Sequence, residues 1–190
     1  SVEFTLADHF QSPGRYPLVI RTFYKDSAGH RFTALIVGFY NHQTAVTPDV
    51  FIEGQATTIP VDGGGRVAFV LRNEGNTPRA LDLELLLPEE LSTPRGRAVA
   101  EVAPHGESTV MFDLENYSAL QNSRYPVTLV GRYKDGGQGF GVAGSATIRM
   151  GRGDPVKTKP TLIWFVLGGL LPLVIVFLRL YERRARQQAS

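Results

Sequence analysis

The 190-residue chain has no cysteine, one tryptophan and two methionines. Without a thiol there is no disulfide framework, no thiolate metal site and no Cys nucleophile. A cysteine-free exported region also fits a bacterial or archaeal envelope better than an animal cell surface. The other signatures of chemistry are equally sparse. The four histidines, His9, His30, His42 and His105, show no i, i+4 pair and no His-Glu-x-x-His run, the spacing that places two imidazoles on one helical face for zinc. No Gly-x-Ser-x-Gly elbow, P-loop or dinucleotide fingerprint occurs. Asp26 and Asp135 lie beside Gly-bearing turns, without the dense carboxylate spacing of a calcium loop. The sequence therefore predicts no enzyme, no metal and no cofactor.

A basic balance is also lacking once the charge is divided by region. The formal +2 resolves into −4 over residues 1–148, +3 over 149–160 and +3 over 179–190. Positive charge thus flanks a membrane segment and forms no groove for phosphates, so no nucleic-acid partner is expected. The segment is the uncharged run TLIWFVLGGLLPLVIVFL at residues 161–178. Its length corresponds to about 27 Å of helix, close to the hydrocarbon thickness of a lipid bilayer. Trp164 and Tyr181 suit the two interfacial belts, and Arg179 is placed to snorkel. Gly168, Gly169 and Pro172 mark a smooth, kinked face for another helix. The reading is a single-pass anchor over residues 161–181, with a juxtamembrane linker at 150–160 and a basic cytoplasmic tail at 182–190. The N-terminal region then lies outside the cytoplasm, in a periplasm or on the cell surface. A sorting signal removed after export is the alternative, although no Leu-Pro-x-Thr-Gly or Pro-Glu-Pro motif supports it. The start at Ser1, without a leader, implies a removed signal peptide or a longer precursor.

What is present is β-structure, organised by a repeat. The run RYPLVIRTFYKD at residues 15–26 matches RYPVTLVGRYKD at 124–135 with a constant offset of 109. That offset is close to one seven-stranded sandwich of about 100 residues. Each copy is followed by a Gly-containing turn and a second apolar strand, and preceded by a short strand, Phe4-Thr5-Leu6 or Met111-Phe112-Asp113-Leu114. Seven strands are predicted for a complete unit over residues 46–149, at 50–53, 65–72, 80–87, 97–103, 108–114, 125–134 and 140–149. Val67, Phe69 and Leu71, and again Leu81, Leu83 and Leu85, alternate with polar residues, as strands with one buried and one wet face require. The turn Asn73-Glu74-Gly75-Asn76 is expected to use residues that tolerate positive φ, with Pro78 and Pro88 ending the strand edges. Residues 1–45 hold only the last three strands of such a unit. Either they belong to a longer tandem array, or a neighbouring domain or another chain completes them.

The run from Val67 through Asn73-Glu74-Gly75-Asn76-Thr77-Pro78, the stretch from Leu83 to Pro88, and Val102-Ala103-Pro104-His105-Gly106-Glu107-Ser108-Thr109-Val110 resemble extracellular Ig-like repeats of the NEW3, CARDB or S-layer-like type. Tyr125-Pro126-Val127-Thr128-Leu129 with Tyr133-Lys134-Asp135 looks like their last hairpin. The resemblance implies an all-β, Ig-like antiparallel β-sandwich, here one complete unit plus the last strands of a preceding one, on a single C-terminal transmembrane α-helix. It also implies a non-catalytic spacer or a module that contacts carbohydrate or protein.

Phe10, Tyr16, Phe23, Tyr24, Phe32, Phe39 and Tyr40 crowd the first 45 residues. Three strands cannot bury them all, so Phe23, Tyr24, Phe39 and Tyr40 are candidate partner-contact residues. Two tripeptides are weaker signals. Arg152-Gly153-Asp154 sits in a linker beside the membrane, and Asn116-Tyr117-Ser118 is a formal glycosylation sequon. The expected function is that of a membrane-anchored accessory or scaffolding subunit whose sandwich binds a membrane-protein partner in a heteromeric complex. The alternative is a cell-surface glycan-binding or S-layer-like adhesion or spacer module.

Overall fold

The computed structural model describes residue 10 and residues 12–151, except 26, 28, 30, 44 and 46, with residues 31 and 32 described by backbone alone. Among the described residues no helix is long and apolar enough to cross a membrane. The strand expected at Phe4-Thr5-Leu6, the Arg-Gly-Asp tripeptide, the linker beyond Gly151, the apolar run with Trp164, Gly168, Gly169, Pro172, Arg179 and Tyr181, and the basic tail lie outside the described residues.

Among the described residues eleven strands form two sheets. They are β1 Gly14–Lys25, β2 Arg31–His42, β3 Val50–Gly54, β4 Thr57–Pro60, β5 Gly64–Asn73, β6 Arg79–Leu86, β7 Leu91–Ser92, β8 Arg97–Val102, β9 Glu107–Asn116, β10 Arg124–Asp135 and β11 Gln138–Gly151. One sheet runs β3-β5-β9-β7. The other runs β2-β1-β11-β10-β6-β8, with β4 also paired to β11. Leaving β1 and β2 aside, the two sheets have the A-B-E-D and A′-G-F-C-C′ orders of an immunoglobulin-like sandwich. The seven strands expected over 46–149 all form, each within two residues of its expected ends.

The alternation produces the core directly. Val67, Phe69 and Leu71 of β5 face Leu81, Leu83 and Leu85 of β6 and Val127 and Leu129 of β10, all buried. Each such side chain contributes about 1.5–3 kcal/mol on leaving water. A second device is the corner at the start of β10. Tyr125 is buried, and its hydroxyl accepts the Leu120 N–H at 3.0 Å, the tyrosine corner that braces this type of sandwich.

Two strands escape the sequence pattern, β4 and the two-residue β7. The first arises because the segment after β3 changes sheets. β3 pairs antiparallel with β5, whereas β4 pairs parallel with β11. The crossing works because glycines meet there. A Cβ on Gly144 would collide with the Ile52 backbone, and one on Gly54 with that of Ser145.

The turn after β5 differs from expectation. Neither Gly75 nor Asn76 has positive φ, and the left-handed residue in this corner is His105 at φ 50°. The turn is held instead by the fully buried Asn73, whose amide donates to the carbonyls of Thr77, Val102 and Ala103 while its oxygen accepts the Gly75 N–H. The sequon asparagine is used in the same way. Asn116 Nδ2 donates to Val61 O at 2.6 Å and to Ala119 O at 3.3 Å, and Oδ1 accepts the Ala119 N–H at 2.7 Å. A glycan on Nδ2 would remove one of those donors, so this site reads as a loop brace.

Asn116→Asp keeps the shape but sets a carboxylate against two carbonyls, and is expected to lower unfolding free energy by about 1–3 kcal/mol. Tyr125→Phe removes one hydrogen bond and is expected to cost about 0.5–1.5 kcal/mol. Urea unfolding of both variants, read as a shift in midpoint at unchanged slope, checks the two values.

Candidate functional site: the β1–β2 hairpin

β1 and β2 pair antiparallel over twelve residues each, from Gly14↔His42 to Lys25↔Arg31. The strands are rich in Val, Ile, Phe, Tyr and Thr, residues that favour a pleated ribbon. Their root is fixed to the sandwich. Gly14 and Arg15 pair parallel with Gly139 and Phe140 of β11. The Gly139 N–H donates to Pro13 O at 3.0 Å, and Arg15 Nη1 donates to Gly141 O at 3.1 Å. Gly141 has to be glycine, since a Cβ there would lie 2.6 Å from Pro17 Cδ. Beyond Arg15, among the described residues, β1 pairs with no strand but β2.

Period-two geometry assigns the two faces. Tyr16, Leu18, Ile20 and Tyr24 share one face with Tyr40 and Ile36, and Arg15, Pro17, Val19, Arg21, Phe23 and Lys25 share the other with Phe39, Val37 and Leu35. Both faces are thus apolar, and the second also carries basic side chains. At the root of the first face Phe10 stacks on Tyr16 at 4.3 Å and lies near Tyr40 and the buried His42. On the second face the Arg15 guanidinium sits 3.7 Å over the Phe39 ring. Outward from the root burial is lost, and Phe23, Tyr24 and Ile36 are 60%, 53% and 58% exposed. The four candidate residues therefore lie on one hairpin, two to a face: Phe23 with Phe39, and Tyr24 with Tyr40.

A polar cluster lies in the sandwich beside this root. Arg79 on β6 donates through Nη2 to Asp49 Oδ2 and to Asp135 Oδ2, each at 2.7 Å. The Tyr133 hydroxyl donates to Asp49 Oδ1 at 2.6 Å and accepts the Asp49 N–H at 3.1 Å. Tyr133 also stacks on Phe140, with centroids 4.9 Å apart. Burial pushes the Tyr133 phenol upward and its bond to Asp49 pushes the same way, so it remains a donor at all ordinary pH. Burial alone would raise the Asp49 carboxyl, but hydrogen bonds from Arg79 and Tyr133 and the guanidinium charge outweigh it, leaving it below the usual range. Bonds to Asp135 and Asp49 raise Arg79. Each carboxylate is engaged, so the cluster acts as a clamp joining the segment before β3 to β6 and to the β10–β11 turn. Sequence reasoning missed it, because Asp49 is 30 residues from Arg79 and 84 from Tyr133.

The two described histidines lie apart. His42 packs in the aromatic root, His105 Nε2 lies 2.8 Å from Asn76 Oδ1 in a distant turn, and His9 and His30 lie outside the described residues. No group of three or more metal-ligating side chains occurs among the described residues.

No family model matches the chain, and no curated protein matches it. Among solved structures it is similar to native alpha-2-macroglobulin from Escherichia coli, spanning domain MG7 to the C-terminus, at 14% identity and TM-score 0.43, over 53% of this chain and 16% of that one. It is similar to the E. coli chaperone DraB at 8% identity and TM-score 0.37, over 53% of this chain and 54% of that one. It is also similar to the seventh ScaB type I cohesin from Pseudobacteroides cellulosolvens at 10% identity and TM-score 0.34, over 58% and 97%. The assignment to an immunoglobulin-like sandwich rests on the strand order described above.

Because the Asp49 carboxyl is depressed on folding, the stability it supplies is complete above the unfolded carboxylate pKa and is lost as pH falls through its lower folded value. Asp49→Asn is expected to lower stability at pH 7 and to flatten the acid limb, measured as thermal midpoint from pH 7 to pH 2.

Proposed function

We propose that this protein is a membrane-anchored, non-enzymatic accessory or scaffolding subunit of a cell-envelope complex, and that it docks on a membrane-protein partner through the β1–β2 hairpin. The observation that carries this reading is a ribbon apolar on both faces whose outer half is solvent-exposed. A surface strand pair ordinarily keeps one face wet. A face bearing Ile20, Tyr24, Ile36 and Tyr40, with Phe23 exposed on the opposite one, has the aromatic and aliphatic character of an interface core. Support for the anchor is the apolar run at 161–178 with its basic flanks; in this reading the sandwich lies outside the cytoplasm. The resemblance of its turns to those of NEW3, CARDB or S-layer-like repeats suits a spacer or contact module of the same kind. Support for the absence of catalysis is that the best-formed polar cluster, Asp49, Arg79, Tyr133 and Asp135, is paired within itself.

The glycan-binding alternative needs aromatic rings presented side by side on one surface. Phe23 and Tyr24 are adjacent in a strand and point to opposite faces, an arrangement better matched to a partner that wraps or continues the ribbon.

The protein extracted in mild detergent is expected to migrate as a defined heteromer in native mass spectrometry. Phe23→Ala combined with Tyr40→Ala is expected to release the partner at least tenfold while leaving the unfolding midpoint of the sandwich unchanged. A bare monomer from the native membrane, or a complex indifferent to both substitutions, would overturn the proposal.

A further inference from the structure

The hairpin is the repeat counterpart of β10–β11, and the structure carries that equivalence beyond sequence. Tyr16↔Tyr40 and Ile20↔Ile36 in the first ladder take the places of Tyr125↔Ile148 and Leu129↔Gly144 in the second. Even the corner is repeated. Tyr125 accepts a backbone N–H five residues before it, and Tyr16 OH donates to Ser12 O, four residues before it, at 2.7 Å. Burial is where the copies part. Leu129 and Tyr133 are 0% and 5% exposed, whereas their counterparts Ile20 and Tyr24 are 37% and 53% exposed.

Two neighbours account for the difference. β6 pairs antiparallel along residues 128–132 of β10, and β3 and β5 of the facing sheet pack across β10 and β11. Residues 19–23 of β1 occupy the place of 128–132 and have no strand beside them on the side away from β2 among the described residues. That stretch is an open edge with an uncovered apolar face, in a position that the same chain fills when the unit is whole.

Charge says what suits the vacancy. β6 presents Leu81, Leu83 and Leu85 to the core and Asp82 and Glu84 to the outer side, where Glu84 Oε2 meets Arg132 Nη1 at 3.3 Å. On β1 the outer side carries Arg21 directly in the place of Val130, between Val19 and Phe23, with Lys25 further along the same face. A second β1 in antiparallel register would put Arg21 and Lys25 of both copies on one face of the same ladder, and like charges there repel.

Resting on the docking role proposed above, we infer that β1 is completed by an acidic edge strand of a partner β-domain. It pairs antiparallel along residues 19–23, with alternate apolar side chains over the Ile20 face and carboxylates against Arg21. Main-chain pairing supplies the affinity of such strand addition and the alternate side chains its selectivity.

The test uses the full chain in detergent and two synthetic peptides. One has the β6 sequence of residues 79–88, and the other is the same with both acids replaced by lysine. Hydrogen exchange of the amides of residues 19, 21 and 23, which point away from β2, is the readout. The acidic peptide is expected to slow that exchange at least tenfold and to bind at least tenfold tighter than the lysine peptide at low salt, and Arg21→Glu is expected to invert the preference. In the native heteromer the same amides are expected to be protected, and Val19→Pro, which removes one edge N–H on the side where Pro17 already lacks one, is expected to abolish that protection without lowering the unfolding midpoint of the sandwich. A heteromer that forms while these amides exchange as in the isolated chain overturns strand completion and leaves the docking role standing. Protection of β1 in a homodimer without peptide would assign the edge to a second copy and overturn the acidic partner. No heteromer and no peptide protection would remove both proposals.

Discussion

Close approach of backbones along β11 is the constraint on which the rest of the architecture hangs. On one side β11 pairs with β10 for twelve consecutive residues. On the other it receives β1 at Gly139 and Phe140 and, at its far end, β4 from Ile148 to Gly151. Between those two contacts β3 passes over it. The crossing of β3 and the seating of the hairpin root bring chains nearer than a Cβ allows, and Gly144 and Gly141 supply the room. Gly144 lets the first strand of the sandwich change sheets, and Gly141 lets the hairpin root sit down. One glycine-rich strand therefore both closes the sandwich and carries the candidate site.

The clamp beside the root extends the same logic to polar groups. Arg79 lies between two carboxylates, and Tyr133 reaches the first of them from the neighbouring strand. Side-chain exposure of 11% for Arg79 and 25% for Asp49 places the pair where charge-assisted bonds count for more than on an open surface. The bridges from Arg97 and Arg132 to Glu84 lie on the outer face of the sheet with both arginines more than half exposed, and contribute little by comparison. The polar chemistry of the sandwich is thus directed at holding strand ends together, while exposed apolar side chains concentrate on the hairpin.

Alternation made most of the sandwich legible in the sequence. Val67, Phe69 and Leu71, and Leu81, Leu83 and Leu85, announce their faces by period alone, and the repeat of Arg-Tyr-Pro marks both hairpins. The strand switch at Gly54 was not legible, because four residues from Thr57 to Pro60 carry no pattern long enough to separate them from a loop. Nor was the clamp, whose members meet only through long-range pairing. The role of Asn73 differs from its sequence reading for a physical reason. An asparagine in a turn suggests backbone freedom, whereas Asn73, like the sequon residue Asn116, serves as a side-chain brace for backbone carbonyls. Phe23, Tyr24, Phe39 and Tyr40 stood out through crowding, but their division between two faces needed the register.

The parallel pairing that ties β1 to the sandwich spans only two residue pairs. From residue 18 to residue 25 the ribbon then runs on for about 26 Å at the usual rise per residue. A short clip at one end of a long, internally hydrogen-bonded ribbon makes a lever. Its inner geometry is fixed by twelve antiparallel pairs, so all of the backbone order of the outer half comes from the ribbon itself and none from the sandwich. Force applied at the outer end is therefore carried to the sandwich through the root alone.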